Sequence, residues 1–294
     1  MNFEEYIIKN DLGIVEKGYR FSELTTIGCG GKIKLLYTPK NLPSLIQAFC
    51  FIEENQLSFF PLGNGSNVLA LDHDYDGIVI HLRKMPYSYT IEKDILDCSA
   101  FYPTSKLAYD LAFEEWGNLS FLGGIPGLLG GAIYNNSGAY KDDIKKHLID
   151  VTYINSAGNL ITIANKDCAF GYRKSIFHYI DGIIISARFS VKKEKTIEIL
   201  QQRAMQRKLS QPLESKSMGS IFKNNPLIPA WKVIDALGMR GFYLDDAAVS
   251  AKHANFIINT GKAKSNDILR LIQLIQRRSS LEFGIQLTYE ITIV

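Results

Sequence analysis

Five segments of this sequence carry residue types at spacings suited to chemistry. The first is Pro61-Leu62-Gly63-Asn64-Gly65-Ser66-Asn67-Val68-Leu69. Its glycines permit positive φ and close approach of a ligand to the backbone. Consecutive N–H groups in such a turn form a nest for an anion, typically a phosphate. Ser66 and Asn67 add side-chain donors. An ordinary tight turn has the same look, and the G-x-G-x-x-G dinucleotide fingerprint is absent. The second is Gly123-Gly124-Ile125-Pro126-Gly127-Leu128-Leu129-Gly130-Gly131-Ala132, followed by Asn135-Asn136-Ser137-Gly138-Ala139-Tyr140. A flexible linker would be polar. Small residues in an apolar setting suit a phosphate turn, a wall against a flat aromatic group, or tight helix–strand packing.

The third is Phe170-Gly171-Tyr172-Arg173-Lys174-Ser175-Ile176-Phe177. An arginine held among aromatics can grip a carboxylate bidentately, although a surface arginine after a turn is commoner. The fourth is Ser217-Met218-Gly219-Ser220-Ile221-Phe222-Lys223-Asn224-Asn225-Pro226, in which Ser220 can donate a proton if its surroundings assist. It is not a nucleophile elbow, because G-x-S-x-G is missing. The fifth is Glu290 on the polar face of an alternating terminal segment, where a carboxylate can orient a reacting group or simply face water. His73, His81, His147 and His178 stand alone, and only His253 lies within a motif-like run. No metal-binding spacing occurs. Cys29, Cys50, Cys98 and Cys168 are too dispersed for a zinc pattern and read as reduced thiols.

These segments need a scaffold to position them. The chain has 294 residues, enough for about two domains. Hydrophobic residues at 46% and charged residues at 21% are globular values. A net charge of +3 is too balanced to argue for nucleic acid. The first residues lack the basic-then-apolar order of a signal peptide, and no apolar run spans a bilayer. A cytoplasmic protein without membrane partners is expected.

Apolar periodicity predicts a helix over 41–56 with Asn41 as N-cap, and another over 104–116 capped by Thr104 and stopped by Gly117. Strands are expected at 59–62 and 78–82, with a hairpin joining 151–155 to 160–163. A further strand is expected over 183–191, then a charged helix over 192–210. A boundary near 210 follows from Gln211-Pro212. Beyond it, helices are expected over 230–237 and 265–283, with strands over 255–259 and 286–294.

Taken together, the five segments and Val249-Ser250-Ala251-Lys252-His253-Ala254-Asn255-Phe256 resemble the UDP-N-acetylenolpyruvoylglucosamine reductases, flavoenzymes of bacterial cell-wall synthesis. The resemblance runs over about residues 21–291 and suits the shorter type of member, which lacks an inserted tyrosine loop. It implies an α+β fold: an FAD-binding module of the vanillyl-alcohol-oxidase type over 1–210, with two subdomains divided near 80–100, and an α+β substrate-binding domain over 211–294. It implies non-covalent FAD, NADPH as co-substrate, and reduction of UDP-N-acetylglucosamine enolpyruvate to UDP-N-acetylmuramate by a monomer. Another FAD oxidoreductase on this fold, or a non-catalytic flavin- or nucleotide-sugar-binding protein, is the alternative.

Roles carry over by motif. The resemblance implies that Leu62, Gly63, Asn64, Gly65, Ser66, Asn67 and Val68 contact FAD. So would Gly124, Ile125, Pro126, Gly127, Gly130, Gly131 and Ala132, and likewise Asn136, Ser137, Gly138, Tyr140 and Ile184. Arg173 would polarise the enolpyruvyl carboxylate, Ser220 would donate the proton and Glu290 would assist. Tyr172, Lys223, Asn224, Arg240 and His253 would bind the substrate. The chain departs from the family pattern at Cys29-Gly30-Gly31-Lys32, at the extra residue in Lys223-Asn224-Asn225-Pro226, and at Asp245-Asp246, where glycines are usual. Two carboxylates close to a diphosphate would repel it.

Overall fold

The computed structural model describes residues 1–225 and 227–294, so Pro226, the end of the fourth segment, lies outside the described residues. The chain divides into two compact units. One holds Met1–Lys17, Leu35–Gly63 and Asp76–Ala204; the other holds Gly18–Lys34, Asn64–Tyr75 and Met205–Val294.

The first unit contains two sheets. One has the strand order Gly13–Glu16, Ile33–Pro39, Tyr75–His81, Phe59–Leu62. Phe59–Leu62 runs parallel to Tyr75–His81. The helix between Ile33–Pro39 and Phe59–Leu62, Leu42–Glu54, begins where expected: the Asn41 side chain accepts the Ser44 N–H at 3.0 Å, and Pro43 sits in the first turn, where a missing N–H costs nothing. Its buried face, Leu45, Phe49 and Ile52, joins Tyr37, Ile78 and Ile80 in one core. The second sheet is antiparallel, ordered Leu160–Ala164, Leu148–Asn155, Gly182–Ser190, Ile95–Ser99, Tyr89–Glu92. Ile184 faces a core with Leu107, Leu111, Leu129 and Ile133, while Ile183 and Ile185 face the other core. Alternation along one strand thus fills two cores.

Two helix boundaries differ from expectation. Helix Thr104–Phe113 has Pro103 at its N-cap, without a side-chain cap. The Thr104 hydroxyl turns back to the carbonyls of Ile125 and Gly127. The helix stops because Glu115 adopts φ 61°, before Gly117 is reached. Gly117 serves close approach: a Cβ there would lie 2.4 Å from Cβ of Glu194. The charged helix also starts late, at Ile197–Ser210.

The second unit is built on an antiparallel sheet ordered Lys216–Ser220, Phe256–Asn259, Ala247–Val249, Tyr243–Leu244. Helix Ser265–Phe283 buries Ile268, Leu271, Ile272 and Ile275 and ends at left-handed Gly284. Ile27, Leu69, Met218, Val233 and Ile257 share its core. The expected strand over 286–294 is only partly regular. Leu287 and Ile291 are buried, but Tyr289 is exposed. The segment changes partners midway, pairing first with Phe222 and Lys223 and then, as Thr292–Ile293, in parallel with Val68–Leu69. A single uninterrupted ladder would have kept one face inside.

Candidate functional site

In the first unit the glycine-rich segment is folded by its own backbone. Residues Ser120–Gly124 form a 3-10 turn, and Gly127 takes φ 112°. Thr104, fully buried, holds the Ile125 and Gly127 carbonyls, and Ser105 also donates to Ile125 O at 3.2 Å. Short helix Leu129–Tyr134 follows. Gly130 packs closely, because a Cβ there would lie 3.3 Å from Ala100 and 3.8 Å from Cβ of Ile184. Gly131 faces open space, with nothing within 4 Å of the same position. Ala132 is buried and its carbonyl accepts the Ser137 N–H at 2.8 Å. Leu62 is buried, and a Cβ on Gly63 would lie 3.3 Å from Leu128.

The segments 136–141 and 170–177 are tied together. Asn136 is buried; its amide donates to Gly171 O at 2.9 Å and accepts from Lys145 N at 3.0 Å. Buried Ser175 donates to Tyr134 O at 2.6 Å. Arg173 donates through Nη2 to Gly138 O at 3.0 Å, and its guanidinium lies 4.9 Å from the centre of the Tyr172 ring. The Tyr140 ring is stacked on the Arg203 guanidinium at 4.1 Å. Asn136, Tyr140, Lys141 and Arg173 all have φ between 41° and 66°. Each left-handed non-glycine residue costs about 1 kcal/mol, so the surrounding bonds must hold this region in place.

In the second unit three expected segments meet on one backbone framework. Asn67 Nδ2 donates to Glu290 O at 3.2 Å, and Thr292 N donates to Asn67 O at 2.9 Å. Glu290 N donates to Ile221 O at 2.7 Å, and Lys223 N to Thr288 O at 2.8 Å. Ser220 pairs with Phe256, one residue beyond a bulge at which Gly219 takes φ 79°. Such an extra residue re-aims the side chain that follows. The turn containing Ser66, the Ser220 strand and Glu290 are thus adjacent. Within that turn, Gly65 has φ 61° and a Cβ there would lie 2.6 Å from Leu24 O. The side-chain oxygen of Asn64 is buried without a protein partner.

The expected substrate residues are partly engaged already. Asn224 Oδ1 accepts the Ala230 N–H at 3.0 Å, capping helix Ala230–Ala236. The extra residue, Asn225, accepts the Leu227 N–H at 2.9 Å. Arg240 forms a two-point pair with Asp235 at 2.7 and 2.6 Å and donates to Ala251 O at 2.9 Å. His253 Nδ1 accepts the Asn255 N–H at 3.2 Å, which leaves Nε2 as a donor. Burial, and after it the Arg240 charge, lower the His253 pKa. The described residues contain no cluster of His, Cys, Asp or Glu that could hold a metal.

Asp245 and Asp246 lie towards the end of the sheet opposite Ser220. Lys216 pairs with Asn259 and Ala247 with Asn259, at one end of the sheet; Ser220 pairs with Phe256 and Val249 with Ile257, at the other. The aspartates sit beside Ala247. Asp245 pairs with Arg270 at 3.0 Å, and Asp246 accepts the Lys262 N–H at 2.9 Å. Asp245 has φ 52°, the conformation in which glycine is at ease. The other departure, Cys29-Gly30-Gly31-Lys32, keeps its necessary glycines: a Cβ on Gly31 would meet His73 O at 2.0 Å. Burial, and then Asp72 and Asp267, push the Cys29 thiol up to about 12, so it is inert.

In the second unit, the buried acceptor at Asn64 and the constrained Gly65 turn suit close approach of part of a dinucleotide; in the first unit, the open space at Gly131 suits the same on its own. Thr104, Asn255 and Ser175 were not among the expected site residues. Thr104 reads as a cap in sequence, and the pairings of all three are made over distance.

Residues 33–164 match the FAD binding domain, and residues 211–294 match the C-terminal domain of UDP-N-acetylenolpyruvoylglucosamine reductase. The UDP-N-acetylenolpyruvoylglucosamine reductase of Protochlamydia amoebophila is 36% identical, covering 92% of this chain and 91% of the relative. That of Bacillus pumilus is 30% identical, covering 100% and 98%. The crystal structure of the Thermus caldophilus reductase superposes with a TM-score of 0.79 at 30% identity, covering 96% of this chain and 99% of the other. Berberine bridge enzyme of Eschscholzia californica, of the vanillyl-alcohol-oxidase fold, shares the fold alone: TM-score 0.51, 13% identity, 65% of this chain and 43% of the other. The chain is an FAD-dependent oxidoreductase of α+β fold and belongs to the UDP-N-acetylenolpyruvoylglucosamine reductase family, which acts in peptidoglycan precursor synthesis.

Proposed function

We propose that this chain reduces the enolpyruvyl group of UDP-N-acetylglucosamine enolpyruvate to give UDP-N-acetylmuramate, with NADPH as reductant. It acts as a cytoplasmic monomer, without nucleic-acid or membrane partners. No described helix is long and apolar enough to cross a membrane. FAD-binding falls to residues 1–210, in two subdomains divided near 80–100, and substrate binding to 211–294. The observation that carries the residue-level reading is the backbone framework joining Asn67, Ser220–Lys223 and Glu290.

FAD, held without a covalent link, supplies the two-electron carriage between nicotinamide and the enolpyruvyl double bond. Its holders are Leu62, Gly63, Asn64, Gly65, Ser66, Asn67 and Val68, the segment Gly124, Ile125, Pro126, Gly127, Gly130, Gly131 and Ala132, and Asn136, Ser137, Gly138, Tyr140 and Ile184. Arg173, braced on Gly138 O, binds the carboxylate and stabilises charge that develops towards it. Ser220 Oγ gives a proton to the carbon bearing that carboxylate, and Glu290 assists. Tyr172, Lys223, Asn224, Arg240 and His253 bind the UDP-sugar. Arg240 does so with its charge shared with Asp235, and His253 as a neutral Nε2 donor.

The test is an anaerobic titration of purified protein. NADPH bleaches the flavin band near roughly 450 nm, and the enolpyruvyl substrate restores it. Bleaching without return would refute the substrate. In Ser220→Ala, bleaching stays fast and return slows; equal slowing of both removes Ser220 from proton donation.

A further inference from the structure

Asn255 is 3% exposed, and both polar ends of its carboxamide bond to Phe222. The regular ladder between Lys216–Ser220 and Phe256–Asn259 ends at the Ser220–Phe256 pair. Beyond it, Ile221 N donates to Asn255 O at 2.9 Å. The Asn255 side chain then replaces the next rung. Its Oδ1 accepts the Phe222 N–H at 2.9 Å, and its Nδ2 donates to Phe222 O at 2.8 Å. A carboxamide is the side-chain copy of a peptide group, so one residue satisfies both polar groups of a buried phenylalanine. Its backbone N–H meanwhile fixes the His253 tautomer.

We infer that Asn255 is a positioning residue: its carboxamide locks the Ser220–Phe222 segment so that Ser220 stands at a fixed place for proton delivery. This rests on the proton-donor role assigned to Ser220. Gly219 sets the aim before Ser220, and Asn255 holds the chain after it. Glu290 N, donating to Ile221 O, braces the opposite edge. Few other residues can play the part. Aspartate has the shape but no donor, serine is too short to reach both groups, and leucine leaves both groups unpaired.

The test compares holoenzyme carrying Asn255→Asp with wild type. The aspartate keeps the acceptor for Phe222 N–H but points an oxygen at Phe222 O until it is protonated. Flavin reduction by NADPH should stay within about twofold, and reoxidation by substrate should slow about tenfold or more at pH near 8. That loss should shrink as pH falls towards about 5.5, a recovery absent from wild type. In Ser220→Ala, adding Asn255→Asp should cause no further loss, because the two act as one unit. Hydrogen exchange of the Phe222 amide in holoenzyme should quicken in Asn255→Ala and not in Ser220→Ala. Should Asn255→Asp not accumulate folded, Asn255→Ser is read in the same half-reactions and in exchange.

Equal slowing of both half-reactions, unchanged reoxidation, or additive losses in the double variant would overturn the inference. If Ser220→Ala alone leaves reoxidation intact, the proton-donor role fails instead. The Phe222 exchange then still reports whether Asn255 holds the segment.

Discussion

Gly131 lies within helix Leu129–Tyr134, where a Cβ would meet nothing within 4 Å. A methyl group there costs the protein no space. Glycine inside a helix is worse than alanine by about 0.5–1 kcal/mol, so Gly131→Ala should stabilise the flavin-free protein. At this chain length the gain is about 1–2 °C in Tm. If the cofactor backbone lies against Gly131, the same methyl group occupies its space. Intrusion into a packed contact costs about 1–3 kcal/mol, which is roughly 5- to 150-fold in FAD Kd. The two effects have opposite signs, and a general destabilisation cannot imitate that. Differential scanning of apoprotein and a fluorescence titration with FAD measure them separately. An unchanged Kd would remove Gly131 from the cofactor cradle. A lower apo Tm would show that the space is occupied by protein.

Gly65→Val should lower FAD occupancy strongly, since a Cβ would lie 2.6 Å from Leu24 O at a left-handed φ of 61°; a purified variant with full flavin absorbance would refute the phosphate-turn role. Asp245→Gly trades the exposed ion pair with Arg270 for relief at φ 52°, so stability should move by less than about 1 kcal/mol and the substrate KM should not change. A much lower KM would mean that this carboxylate does repel the diphosphate. Burial lowers the pKa of His81 and of His253 below the ordinary 6.5, with Lys84 and Arg83, or Arg240, adding to it. Both groups therefore contribute stability that is complete above 6.5 and is lost as pH falls through their folded values. The urea midpoint should fall below neutral pH, and His81→Leu should flatten that slope; an unaltered slope would refute the His81 contribution.

What was legible in the sequence is what local chemistry decides. Helix 265–283 has the expected bounds, because its apolar stripe and Gly284 are self-sufficient signals. Asn41 likewise announces helix Leu42–Glu54. Thr104 misleads because a threonine before a helix has two uses, and the distant Ile125 and Gly127 carbonyls choose the second. The alternation of 286–294 fails at Tyr289, where pairing passes from Phe222 to Val68–Leu69, a choice made by residues far away in the chain. The motifs themselves stand out by residue type and spacing, those holding Ser220 and Glu290 included. Their shared framework does not, since it consists of bonds between segments more than thirty residues apart.

The second unit is assembled from three separate lengths of chain. Residues 64–75 emerge from the ribosome long before their partners Glu290 and Thr292. At about 5–20 residues per second, that wait is roughly 10–40 s. Throughout it the Val68–Leu69 edge has no partner strand, and unpaired edges invite wrong pairing. A piece cut at residue 211 would carry the complementary defect, with Thr292–Ile293 unmatched. Order of synthesis is therefore written into this half of the protein, and chaperone demand should rise with any change that slows its completion.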